Sequence, residues 1–112
     1  MVWTAWNNGS HSRSGAGYGL RVDASDRDRH FDQHWQSVTI ELPGSIRTTV
    51  VEVNVAKRSF WTPQCRELID KQIGEWLISE SHAPWRQGHP PRFEVTVVGE
   101  RYFKLVRRID AG

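Results

Sequence analysis

His11 and Arg13 lie in a glycine- and serine-rich stretch, NNGSHSRSGAG, over residues 7–17. Backbone amides around Gly15, Gly17 and Gly19, with Ser12, Arg13 and Ser14 beside them, are the ingredients of an anion-binding nest. His11 among Ser10, Ser12 and Ser14 offers a base, and with Arg13 gives an enzymatic expectation: chemistry on a phosphorylated substrate. The structural alternative is a hairpin loop whose glycines supply the positive φ of its turns. A dinucleotide or P-loop site needs a helix directly after the glycines, so that its N-terminus faces the phosphate. Here LRVD follows, which reads as a strand, and no Gly-Lys-Ser/Thr follows. A kinase-type glycine loop joins two strands, but its lysine, catalytic aspartate and DFG partners are missing. The pattern therefore leans towards connection.

A second constellation is distributed along the chain. AKRSFWT puts Lys57 and Arg58 beside Phe60 and Trp61, and HAPWRQGHPPRF groups Trp85, Arg86, His89 and Arg92. Arg107 and Arg108 extend the last apolar run. Aromatic rings that stack bases, next to guanidinium groups that contact phosphate, grip single-stranded nucleic acid without a sequence code. The leading expectation is a small nucleic-acid-binding domain using Arg13, Lys57, Arg58, Trp61, Trp85, Arg86, Arg107 and Arg108. The same exposed Trp and Arg suit a protein interface, and an unpaired edge strand suits a homodimer. Against both stands a structural role, with Phe60, Trp61 and Trp85 as lids over the core and the arginines solvating its rim.

Other chemistry is weaker. His30 and His34 share a face if DRDRHFDQHW is helical, but Phe31 occupies the position where a zincin carries glutamate. A solvated, salt-bridged helix is the expectation, and no metal or cofactor is assigned. Cys65 falls in an apolar stripe with Leu68 and Ile69 and reads as a buried thiol. A phosphatase-like loop would need arginine six residues on, where Lys71 stands.

The elements that must position these groups follow from periodicity. Val2 to Trp6 and Tyr18 to Asp23 read as strands, the second with Tyr18, Leu20 and Val22 on one face. Ser25 and Asp28 resemble a capping box for a short helix pinned by Phe31 and Trp35. SVTIEL and TTVVEVNVA alternate, with Val38, Ile40, Leu42, Val51, Val53 and Val55 inward. Thr62-Pro63 predicts the start of a long helix over 62–80, with Cys65, Leu68, Ile69, Ile73, Trp76 and Leu77 on its apolar face. Residues 81–92 read as a Pro-rich loop, and FEVTVV and RYFKLV form a hairpin around Gly99-Glu100. The sum is one α+β domain over 1–112: a two-layer sandwich. Its antiparallel sheet has five or six strands, with one long and one short helix packed on one face.

Composition sets limits. Twelve Arg and three Lys face thirteen acidic residues, a net charge of +2. That is too small to argue for nucleic acid except through its distribution. Six Trp in 112 residues is the more unusual count. A single Cys and the lack of a secretory leader point to a reducing cytoplasm, and no apolar run is long enough for a bilayer.

Overall fold

A computed structural model describes residues 1–110. Seven strands form one sheet: β1 (Val2–Asn7), β2 (Tyr18–Val22), β3 (Ser37–Leu42), β4 (Thr49–Asn54), β5 (Glu67–Ile69), β6 (Arg92–Gly99) and β7 (Tyr102–Arg108). Their order is β4-β3-β7-β6-β1-β2-β5. The sheet curls until β5 comes back beside β4, making a nearly closed barrel. Helix α1 (Ala24–His30) and helix α2 (Lys71–Ser79) are both short, and α2 packs on β2 and β4 near the opening.

This corrects the expected sandwich. An inward-facing strand face needs cover, and here the sheet covers itself: Trp3, Leu20, Ile40, Val53, Phe103 and Leu105 meet in one interior. The sheet is also mixed, because β3 runs parallel to β7. Alternation shows which side chains point inward but carries nothing about strand direction. The inward assignments for β2, β3 and β4 all hold.

The long helix over 62–80 does not form. Glu67–Ile69 instead pair with β2, Leu20 opposite Leu68, which satisfies backbone groups that β2 would otherwise leave open on that side. Leu68 is buried and Ile69 exposed, although both fit the helical stripe. Asp70 then caps α2, accepting a bond from the Gln72 amide at 2.8 Å. Replacing Asp70 by Ala is expected to lower stability by about 1 kcal/mol, read from denaturant unfolding. Thr62 is no cap for this helix: its hydroxyl accepts from the Cys65 amide in a turn, which leaves Cys65 exposed and not buried in the core.

Two other boundaries differ. Asp23, not Ser25, takes the N-cap position of helix α1, without a side-chain capping bond, and the helix ends at His30, so Phe31 enters the core in extended backbone. His34 stands beyond the helix and bonds Asp32, so the two histidines share no helical face. The final turn is Glu100-Arg101, with Arg101 at φ 57°, one residue later than the expected pair.

Contact between backbones fixes the 7–17 loop. A Cβ on Gly74 of α2 would lie 1.9 Å from the Gly15 carbonyl oxygen. A Cβ on Gly15 would in turn lie 2.8 Å from the Glu75 amide nitrogen. Only two glycines allow the loop to lie directly on the helix.

Candidate functional site

The strand pairings divide the molecule into two ends. At one, Trp3 faces Val22, and α1 follows; at the other, Asn7 faces Tyr18, with the 7–17 loop between them. The 81–92 loop reaches this second end, where the Pro91 carbonyl accepts from the Ala5 amide. The His11 ring meets Trp85 edge-on at 4.7 Å, and its Nδ1 lies 3.1 Å from the Tyr18 hydroxyl. The two irregular segments are thereby joined.

Beside this junction is a cleft of about 680 Å³, bordered by His82, Trp85, Arg86, His89, Arg92 and Arg108. Arg108 belongs to it because of a bulge. Leu105 pairs with Val95 and Arg107 with Glu94, so Val106 is extra and the face presented by β7 switches. Arg108 then faces Phe93 and the cleft, whereas Arg107 turns outward to pair with Glu94 at 3.2 Å.

Asp110 orients Arg108 through two bonds, at 2.8 and 2.9 Å, and also accepts from the Arg92 amide at 3.0 Å. The Arg108 bonds, with help from the Arg92 amide, hold the Asp110 carboxyl well below the usual carboxylate range. Arg108 also approaches His82 Nδ1 at 3.4 Å and can only donate, which makes Nδ1 the acceptor of a neutral ring. Burial, then the Arg108 charge, pushes the His82 imidazole below its usual pKa.

Both shifts have the same consequence. A carboxylate with a depressed pKa stabilises the fold above the ordinary carboxylate range, and that contribution is lost as pH falls through it. A histidine with a depressed pKa opposes folding once pH falls below its ordinary value. Stability should decline on acidification, and Asp110→Asn should flatten the lower part of that decline in denaturant unfolding measured across pH.

The expected contact residues are only partly brought together. Trp85, Arg86 and Arg108 border the cleft. Lys57, Arg58 and Trp61 lie at the opposite end, around a 3-10 turn over Arg58–Trp61. There the buried Arg27 donates to the Phe60 and Thr62 carbonyls and lies 5.3 Å above the Trp61 ring, covering one of its faces. Burial also lowers the Lys57 pKa. Arg13 is exposed on its loop and forms no ion pair among the described residues.

The glycine loop largely binds itself. Asn7 accepts from the amides of Gly9 and His11, Asn8 from that of Ser10, Ser12 from that of Ser14, and Ser14 from that of Ala16. Of the residues expected to form an anion nest (Ser12, Arg13, Ser14, Gly15 and Gly17), Ser14 has its amide bonded to the Ser12 hydroxyl, and the Ser12 and Ser14 hydroxyls bond each other at 2.8 Å.

Sequence reasoning left Arg92 and His89 out of the contact set and did not find Asp110 or Trp6. Alternation could have flagged Trp6: buried Trp3 and Ala5 place Val2, Thr4 and Trp6 on the other face of β1. Asp110 gives no signal, because its partner depends on the bulge. No helix among the described residues is long and apolar enough to cross a membrane. Comparison with protein-family models, curated proteins and solved structures finds no match to this chain.

Proposed function

We propose that the protein binds single-stranded nucleic acid at the cleft between the 81–92 loop and the end of β7. The supporting observation is the convergence of Trp85 with Arg86, Arg92 and Arg108 around one concavity. Arg86 and Arg92 are exposed and form no ion pair among the described residues, which leaves their guanidinium groups free for phosphate. Arg108 is fixed by Asp110 and presents a rigid edge at the cleft floor. An unstacked strand, unlike a duplex, lets a phosphate enter so small a cleft while its bases turn to nearby rings.

The test is equilibrium binding of labelled single-stranded oligonucleotides of about ten nucleotides, within the range one small barrel covers. Binding should weaken as salt rises, with a log–log slope of about −0.7 for each phosphate engaged. No binding at low salt overturns the proposal.

A second reading, a protein-interaction or homodimerisation module, has a separate observation in its favour. Val98 and Val106, the unpaired residues at the two register shifts of the β6–β7 hairpin, are 51% and 40% exposed. Val97 beside them is 43% exposed. A mass in light scattering that rises with concentration would support it.

A further inference from the structure

Of the six tryptophans, Trp3 and Trp76 are buried, and Trp35, Trp61 and Trp85 pack against the core. Trp6 does neither, and it pairs with no other aromatic ring among the described residues. An indole left half-buried, with no ring or core partner, is an unusual use of the largest apolar side chain.

Its surroundings form a cleft. Directly across the β1–β2 ladder from Trp6 stands Gly19, where β5 packs close, a Cβ there lying 2.5 Å from the Leu68 carbonyl oxygen, so the cleft extends from Trp6 toward the loops and not across β2. Thr4 and Arg21 face each other one step along the same side of the ladder. The 81–92 loop supplies Trp85 and Gln87, and the 7–17 loop supplies His11. The enclosed space is about 620 Å³.

This cleft differs in charge from its neighbour. Arg21 is its sole arginine, and that side chain is already bound to Glu67 at 3.2 Å and to the Gln64 carbonyl at 2.8 Å. The rest of the lining holds no lysine or carboxylate: it is aromatic, polar, or small and apolar as at Ala5 and Pro90. The two clefts share Trp85, Gly88 and Pro90, so the loop is a ridge with a cationic hollow on one side and an aromatic hollow on the other.

We infer that the Trp6 cleft is a nucleobase subsite: a strand crosses the 84–90 ridge, with phosphate among Arg86, Arg92 and Arg108 and an adjoining base stacked on Trp6. This rests on the nucleic-acid reading above and adds to it where the base goes. Phosphate is drawn to unpaired guanidinium groups, whereas a base gains most from stacking on an indole that lines a cleft and has no ring partner of its own. Gln87, with both a donor and an acceptor, is suited to the edge of the stacked base.

The experiment compares an oligothymidylate of about ten nucleotides with an abasic strand of the same length, which retains the phosphates and lacks the rings. The parent protein should bind the base-bearing strand more tightly. Trp6→Ala should weaken that strand roughly tenfold and leave the abasic strand unchanged, while Trp6→Phe should restore most of the loss. Should Trp6→Ala not fold, Gln87→Ala, on an exposed loop, tests the same cleft by a selective loss for the base-bearing strand. Equal affinity of the parent for both strands overturns the base subsite, as does a Trp6→Ala variant that keeps the parent's preference. Failure of the parent to bind either strand at low salt overturns the nucleic-acid reading itself, and so separates the two.

Discussion

Replacing Arg86 and Arg92 together by glutamate is expected to reduce affinity for a single-stranded oligonucleotide by roughly 100-fold at low salt. Neither side chain has a protein partner among the described residues, and both are exposed at the rim of a cleft whose floor holds the Arg108–Asp110 pair. Reversing them removes two cations and places two anions where phosphate would lie, without disturbing the core. The salt dependence is the more diagnostic reading. Losing two phosphate contacts to a single strand should reduce the slope of log K against log salt by about 1.4. A control pair, Lys57→Glu with Arg58→Glu, reverses the same charge at the far end of the barrel and should change affinity much less. Equal losses from both pairs would mean that net charge matters and the cleft does not.

Gly74→Ala is expected to be the most damaging of the small substitutions for stability, costing about 2 kcal/mol. The added methyl group would meet the Gly15 carbonyl at 1.9 Å, and the atoms around it are backbone, so no rotamer change relieves the overlap. Alanine's higher helix propensity recovers about 1 kcal/mol at most, so the steric cost prevails. A fall in Tm of roughly 10 °C follows for a domain of this size. Gly99→Ala is the control: its Cβ would meet only the Tyr102 side chain at 3.6 Å, an ordinary contact, and its Tm should stay near that of the parent. A Gly74→Ala protein that melts with the parent would refute the proposed loop–helix contact. The same variant links fold to site, because lifting the 7–17 loop from α2 also withdraws His11 from Trp85.

Most strands are visible in the sequence because each has one wet face and one dry one. Val38, Ile40 and Leu42, like Val51, Val53 and Val55, declare their orientation through a period of two. The stretch before α2 is different. Leu68 and Ile69 satisfy a helical stripe and a three-residue strand equally well, and the choice was made by the open side of β2, a partner more than forty residues away.

The candidate site divides the same way. The types of its residues, indole beside guanidinium in a Pro-rich loop, are written in HAPWRQGHPPRF. Their assembly is not. A single extra residue at Val106 decides that Arg108 and not Arg107 joins the cleft, and barrel closure decides that Lys57, Arg58 and Trp61 end up at the opposite pole.

By itself, then, the sequence determined which side chains of β2, β3 and β4 point inward and that the 7–17 and 81–92 segments stay irregular, because burial periodicity and turn chemistry act between near neighbours. Tertiary structure alone decided strand direction, the curl of the sheet into a barrel and the company each arginine keeps. Those depend on pairing between distant segments, where a shift of one residue turns a side chain from one face to the other.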